Sequence, residues 1–133
     1  MIRAGLGLAV LTALLGALTL GLATDADAAY TTTDRKRGPA RLLVTAKEFS
    51  FTLSRPKVRA GRVIVQLANA GEDVHNLRLR RQGARRSRLV PRTDPGGLAE
   101  LSRKLRPGRY YLWCSIADHE ERGMRARLVV KRR

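Results

Sequence analysis

The strongest constraint on the fold is a change of hydrophobic period at Arg41. From there on, apolar and polar side chains alternate over short runs, and no stretch keeps the 3.6-residue spacing of an amphipathic helix. Seven runs read as strands: Leu42–Ala46, Glu48–Leu53, Arg62–Ala68, Val74–Arg80, Leu98–Leu105, Arg109–Cys114 and Met124–Lys131. Turn chemistry separates several of them, at Ala60-Gly61, Asn69-Ala70-Gly71, Asp94-Pro95-Gly96-Gly97 and Arg106-Pro107-Gly108. Strands this short and this dense predict an all-β chain, an antiparallel Greek-key β-sandwich of about seven to eight strands.

Residues 1–28 follow a different pattern. Arg3 gives a positive start, Ala4 to Ala23 is uncharged, and Ala26-Asp27-Ala28 has the small-x-small form of a cleavage site. This is the layout of a signal peptide, with its apolar stretch forming a signal helix. The stretch also has the length of a membrane span, so an uncleaved anchor is the alternative. Four glycines (Gly5, Gly7, Gly16 and Gly21) and the cleavage pattern favour removal. Both versions place the remainder outside the cytoplasmic membrane, in a periplasmic or other extracytoplasmic space. A lone Arg3 is not a twin-arginine signal, which points to Sec-type export of an unfolded chain that acquires any metal afterwards. With no cysteine near the cleavage region, a lipid-anchored form is not expected. Residues 29–40, polar and ending near Gly38-Pro39, read as a flexible linker. Residues 41–133 are expected to form one domain.

Composition matters most for what is scarce. The chain has two histidines, one cysteine and two methionines, one of them Met1. An exported chain with a single cysteine forms no internal disulfide, so the thiol needs another explanation. Cys114, His119 and Met124 lie at regular five-residue offsets, with His75 well upstream. Strand alternation aims the side chains: His75 shares a face with Leu77 and Leu79, Cys114 with Tyr110 and Leu112, and Met124 with Ala126, Leu128 and Val130. Three strands thus point a candidate ligand at one apolar interior, and His119 lies on the loop between two of them. Two imidazoles, a thiolate and a weak axial thioether form the ligand set of a blue copper site.

At these residues the chain resembles the cupredoxins, the small type 1 blue copper proteins that include plastocyanin, auracyanin and rusticyanin. The resemblance runs from about Leu42 to Lys131 and is carried by several segments. These are Glu48-Phe49-Ser50-Phe51, Val58-x-Ala60-Gly61-x-Val63, Leu67-x-Asn69-x-Gly71-x3-His75-Asn76, Arg106-Pro107-Gly108-x-Tyr110-x-Leu112-x-Cys114 and His119-x3-Gly123-Met124. It implies one copper ion on His75, Cys114, His119 and Met124. It also implies that Asn76 and Ser115 brace the cysteine sulfur, that His119 is the electron port, and that Trp113 lies on a second route. Packing alone is the competing role for Trp113, and an ordinary strand-edge polar residue that for Asn76. The loop departs from the family pattern by flanking His119 with Asp118, Glu120 and Glu121. These acids are expected to lower the potential and favour a partner with a basic docking rim, against the alternative of an inconsequential solvated loop. A glutamate of that loop is the competing axial ligand.

The implied function is one-electron transport between extracytoplasmic protein partners (a cytochrome, oxidase or reductase) by a monomer that is not an enzyme. Nitrite reductase or multicopper oxidase chemistry needs further histidines, and a dinuclear copper centre needs paired cysteines. Copper capture or delivery to an oxidase is the alternative. The formal charge of +16, with 27 Lys and Arg against 11 Asp and Glu, adds an anionic membrane surface as a second class of partner. Nucleic acid is disfavoured, because the run from Arg78 to Arg92 lacks interleaved aromatics for base stacking.

Overall fold

The computed structural model describes residues 38–132. The signal segment 1–28 and most of the 29–40 arm lie outside the described residues. Nine strands form among those described: β1 (Ala40–Lys47), β2 (Ser50–Leu53), β3 (Lys57–Arg59), β4 (Gly61–Asn69), β5 (His75–Arg81), β6 (Arg88–Thr93), β7 (Leu98–Leu105), β8 (Gly108–Trp113) and β9 (Arg125–Lys131). They make two sheets, ordered β2-β1-β4-β7 and β3-β9-β8-β5-β6. The architecture is the all-β sandwich that the alternation predicts.

The sheets are mixed rather than antiparallel throughout. β1 pairs with β4 in parallel, and β3 pairs with β9 in parallel. The chain leaves the first sheet after β2, adds β3 to the second, then returns as β4 on the free side of β1. This excursion replaces a hairpin reversal, so β4 runs in the direction of β1.

Two strands escape the hydrophobic pattern. β3 is three residues long and buries only Val58, while β6 buries Val90 and Thr93 and contains Pro91. Both lie at sheet edges, where a proline removes no ladder hydrogen bond that the strand needs.

Between the sheets, alternate residues meet face to face. Leu42, Val44 and Ala46 of β1 and Val63, Val65 and Leu67 of β4 oppose Leu77, Leu79, Leu112 and Leu128 of the second sheet, all essentially inaccessible to solvent. Each such Leu or Val side chain contributes about 1.5–3 kcal/mol on burial. Tyr110 adds its ring to this core and donates its hydroxyl to the carbonyl of Arg106 at 3.0 Å, fastening the start of β8.

Strand register fixes the two ends of the sandwich. Thr93 of β6 lies opposite His75 of β5, and Trp113 of β8 lies opposite Arg125 of β9. The start of β5, the end of β8 and the start of β9 therefore share one end, the ligand end. Ala40 pairs with Val63, Gly61 with Leu105 and Gly108 with Val130, which marks the opposite end.

Candidate metal centre

Each candidate ligand sits where a strand meets a loop at the ligand end. His75 is the first residue of β5, Cys114 follows β8 directly, and Met124 directly precedes β9. The loop between β8 and β9 carries His119. Backbone bonds close this loop on itself: the Cys114 amide donates to the Met124 carbonyl at 3.1 Å, and the Met124 amide to the His119 carbonyl at 2.9 Å. Gly123 has φ of 108°, a conformation that glycine adopts without strain. His75, Cys114 and Met124 are completely buried and His119 is 7% exposed.

The ligand atoms converge. His75 Nδ1 lies 3.2 Å from His119 Nδ1, and Cys114 Sγ lies 3.6 Å from the same nitrogen. One ligand atom from each of the three residues falls within 4.8 Å of the others. The two backbone bonds tie the main chain of Met124 to Cys114 and His119.

Glu48 decides the state of the first ring. Its Oε1 stands 3.1 Å from His75 Nε2 and accepts the amides of Glu72 at 2.7 Å and Asp73 at 2.9 Å. The Asp73 amide foremost, with Glu48's own amide, His75 and the Glu72 amide, lowers its pKa to about 2. An ionised carboxylate only accepts, so the proton of a neutral His75 resides on Nε2. The lone pair of His75 is then on Nδ1 and faces a second ring nitrogen. Two imidazole nitrogens beside a thiol sulfur, closed off from water, form a ready donor set for a cation. Soft sulfur with two imidazoles matches copper.

In the sequence Glu48 belongs to the strand run Glu48–Leu53 and to the Glu48-Phe49-Ser50-Phe51 segment of the resemblance, with no role assigned to it at the site. In the structure β2 begins at Ser50, and Glu48 lies in the β1–β2 turn, beneath the loop that delivers His75. Gly71 in that loop is packed against it, and a Cβ there would run into the Glu48 carboxylate. Asn69 shapes the same loop. Its Nδ2 donates to the carbonyls of Asp73 at 2.7 Å and Thr93 at 2.9 Å, and its Oδ1 accepts the Gly71 amide.

Beyond the ligands, Asn76 and Ser115 are joined by hydrogen bonds: the Ser115 amide donates to Asn76 Oδ1 at 2.8 Å, and Asn76 Nδ2 to Ser115 Oγ at 3.1 Å. Strict alternation would turn Asn76 outward. A register irregularity between His75 and Leu77 accompanies its burial instead. Phe49 meets the His119 ring edge-on at 4.9 Å and carries the Arg122 guanidinium 3.4 Å above its own centroid. Trp113 is half-buried and stacks on Tyr111 at 5.6 Å, with Arg80 over its ring. Tyr111 donates to Glu120 Oε1 at 2.9 Å, while Asp118 and Glu121 are exposed. Neither Glu120 nor Glu121 joins the buried group that contains His75, Cys114 and His119.

No protein-family model matches the chain, and no curated protein matches its sequence. Solved structures do resemble it. Auracyanin A, a "blue" copper protein from the green thermophilic photosynthetic bacterium Chloroflexus aurantiacus, aligns at TM-score 0.59 and 18% identity, over 71% of this chain and all of its own. Dithionite-reduced auracyanin from Roseiflexus castenholzii aligns at 0.54 and 17%, over 70% of this chain and 98% of its own. A reduced Cu(I) form of an amicyanin variant aligns at 0.50 and 16%, over 72% and 87%. The fold is that of the cupredoxins. On this cupredoxin framework, His75, Cys114 and His119 fit one type 1 copper site.

Proposed function

We propose that the chain is an exported one-electron carrier whose copper is held by His75, Cys114, His119 and Met124. The convergence of three buried donor atoms within 4.8 Å supports this reading above all else. Copper bound there would supply a one-electron couple. The protein's part is to present its donors already arranged: Glu48 sets the ring of His75, Asn76 ties β5 to the residue after Cys114, and the closed loop keeps water away. Ligands held this firmly change little between oxidation states, which keeps reorganisation small.

In this reading residues 1–28 direct export and the domain from residue 41 onward does the work. His119 is the port for electrons, and Trp113 with Tyr111 offers a second route. Partners are proteins with exposed redox centres, and the chain performs no bond chemistry on a substrate. Burial of the donor atoms favours electron transfer over copper delivery, which needs ligands that a recipient can reach.

Loading the protein with Cu(II) tests the proposal. The expected product is blue, with an intense thiolate-to-copper band at about 600 nm and reversible reduction. A colourless oxidised product, or one that loses copper on cycling, would refute it.

A further inference from the structure

Charge on this molecule is sorted by the two ends of the sandwich. Among the described residues, every acidic side chain lies on the ligand-end half. Glu48 is in the β1–β2 turn, Glu72 and Asp73 in the β4–β5 loop, and Asp94 in the β6–β7 turn. Asp118, Glu120 and Glu121 are in the β8–β9 loop, and Glu100 lies opposite Gln66 on the ligand-side half of β7. Basic residues occur at both ends, but at the opposite end they stand alone.

That opposite end is concave in two places. One groove is lined by Arg62, Arg103, Lys104 and Arg106, with Pro107 and Gly61 between them. The other is lined by Arg41, Arg55, Lys57, Arg59 and Lys131, beside Pro39 and Ala40. All of these basic side chains are exposed. The seven residues of β9 alone separate the two ends by about 20 Å, more than twice the ~8 Å Debye length at physiological salt. The acidic end therefore does not neutralise the basic one.

We infer that this basic end docks on an anionic lipid surface and holds the ligand end away from it. Three observations favour lipid over an acidic protein. The charge covers a whole end of the domain and is not focused around an apolar centre. No exposed aromatic residue is present there among the described residues, whereas protein interfaces concentrate aromatics and deplete lysine. The chain also enters β1 at this end, at Ala40, shortly after the basic run Arg35-Lys36-Arg37 of the sequence. This docking goes beyond the proposed electron transfer and needs no bound copper, so the two fail separately.

The test is co-sedimentation of the full chain with phosphatidylcholine vesicles, with and without phosphatidylglycerol. Each Lys or Arg at such a surface contributes roughly fivefold in binding. The anionic vesicles should be preferred by at least about tenfold, and salt should erode the preference. Replacing Arg62, Arg103, Lys104 and Arg106 with glutamate should abolish it, whereas Asp118→Asn with Glu121→Gln should leave it intact. Trp113, the only tryptophan, is at the ligand end, so brominated lipid should leave its emission unchanged in the docked state. Equal binding to both vesicles, capture by soluble polyglutamate but not by vesicles, or quenching of Trp113 would overturn the inference.

Discussion

The Glu48 carboxylate stands 3.1 Å from Nε2 of His75 and thereby fixes which nitrogen of that ring faces Cys114 and His119. A carboxylate behind a ligating histidine makes the ring more basic and locks its orientation. Glu48→Gln should weaken copper binding roughly 10- to 100-fold and raise the reduction potential. Titration against a competing chelator, together with voltammetry, checks both. Unchanged affinity would show that His75 is oriented by other contacts.

Gly71→Ala should reproduce that loss without touching an ionisable group. The added methyl occupies the position of the Glu48 carboxylate, and the long glutamate side chain gives way more readily than the backbone. Stability should fall by about 1 kcal/mol, the worth of the loop hydrogen bonds released. Combining Gly71→Ala with Glu48→Gln should weaken copper binding no further than either alone, because both remove one interaction.

Asn76→Ala should destabilise the fold more than Ser115→Ala. Both break the side-chain bond between the two residues, but only the first strips the Ser115 amide of its acceptor. The expected cost is about 1–3 kcal/mol for Asn76→Ala and about 1 kcal/mol or less for Ser115→Ala, measured by urea unfolding. Equal costs would mean that water replaces the lost acceptor.

The loop acids should influence electron exchange through charge. Neutralising Asp118, Glu120 and Glu121 together should raise the potential by on the order of tens of mV, the Coulomb effect of three screened charges. It should also slow reaction with a redox partner whose docking rim is basic. Stopped-flow rates at low and high salt separate the two effects. If neither potential nor rate responds, the loop is only solvated.

Alkaline stability should depend on tyrosine. Burial raises the pKa of Tyr110 above its usual 10.0, and burial together with Glu120 raises that of Tyr111. An acid whose folded pKa is raised keeps its proton when the unfolded chain has lost it. Stability is thus unaffected below about pH 10 and falls as pH climbs beyond it. Tyr110→Phe should cost about 1 kcal/mol near neutrality through the lost bond to Arg106, yet flatten the alkaline decline. Urea unfolding from about pH 8 to about pH 11 reads the slope.

The sandwich was legible because alternation records which residues face inward, and the interior positions of β1, β4, β5, β8 and β9 carry Leu and Val. Alternation does not record neighbours, which is why the parallel pairing of β1 with β4 left no trace. β3 and β6 were illegible for another reason: edge strands bury little, and Lys57–Arg59 or Arg88–Thr93 reads as a charged loop.

The candidate ligands stood out because their residue types are so scarce. Glu48 did not, since a glutamate in a strand-like run is ordinary and its partner is 27 positions away. Only the fold of the β1–β2 turn beneath Gly71 brings the two together. Asn76 was placed by resemblance alone, as strict alternation would have sent it to solvent.

The loop from Cys114 to Met124 is clipped shut by its own backbone, where the β8–β9 ladder ends. It behaves as a cassette. Its length and charge can be rewritten between two fixed posts while the walls of the sandwich stay as they are. Redox tuning and choice of partner can then evolve within one short stretch of gene, at little risk to folding.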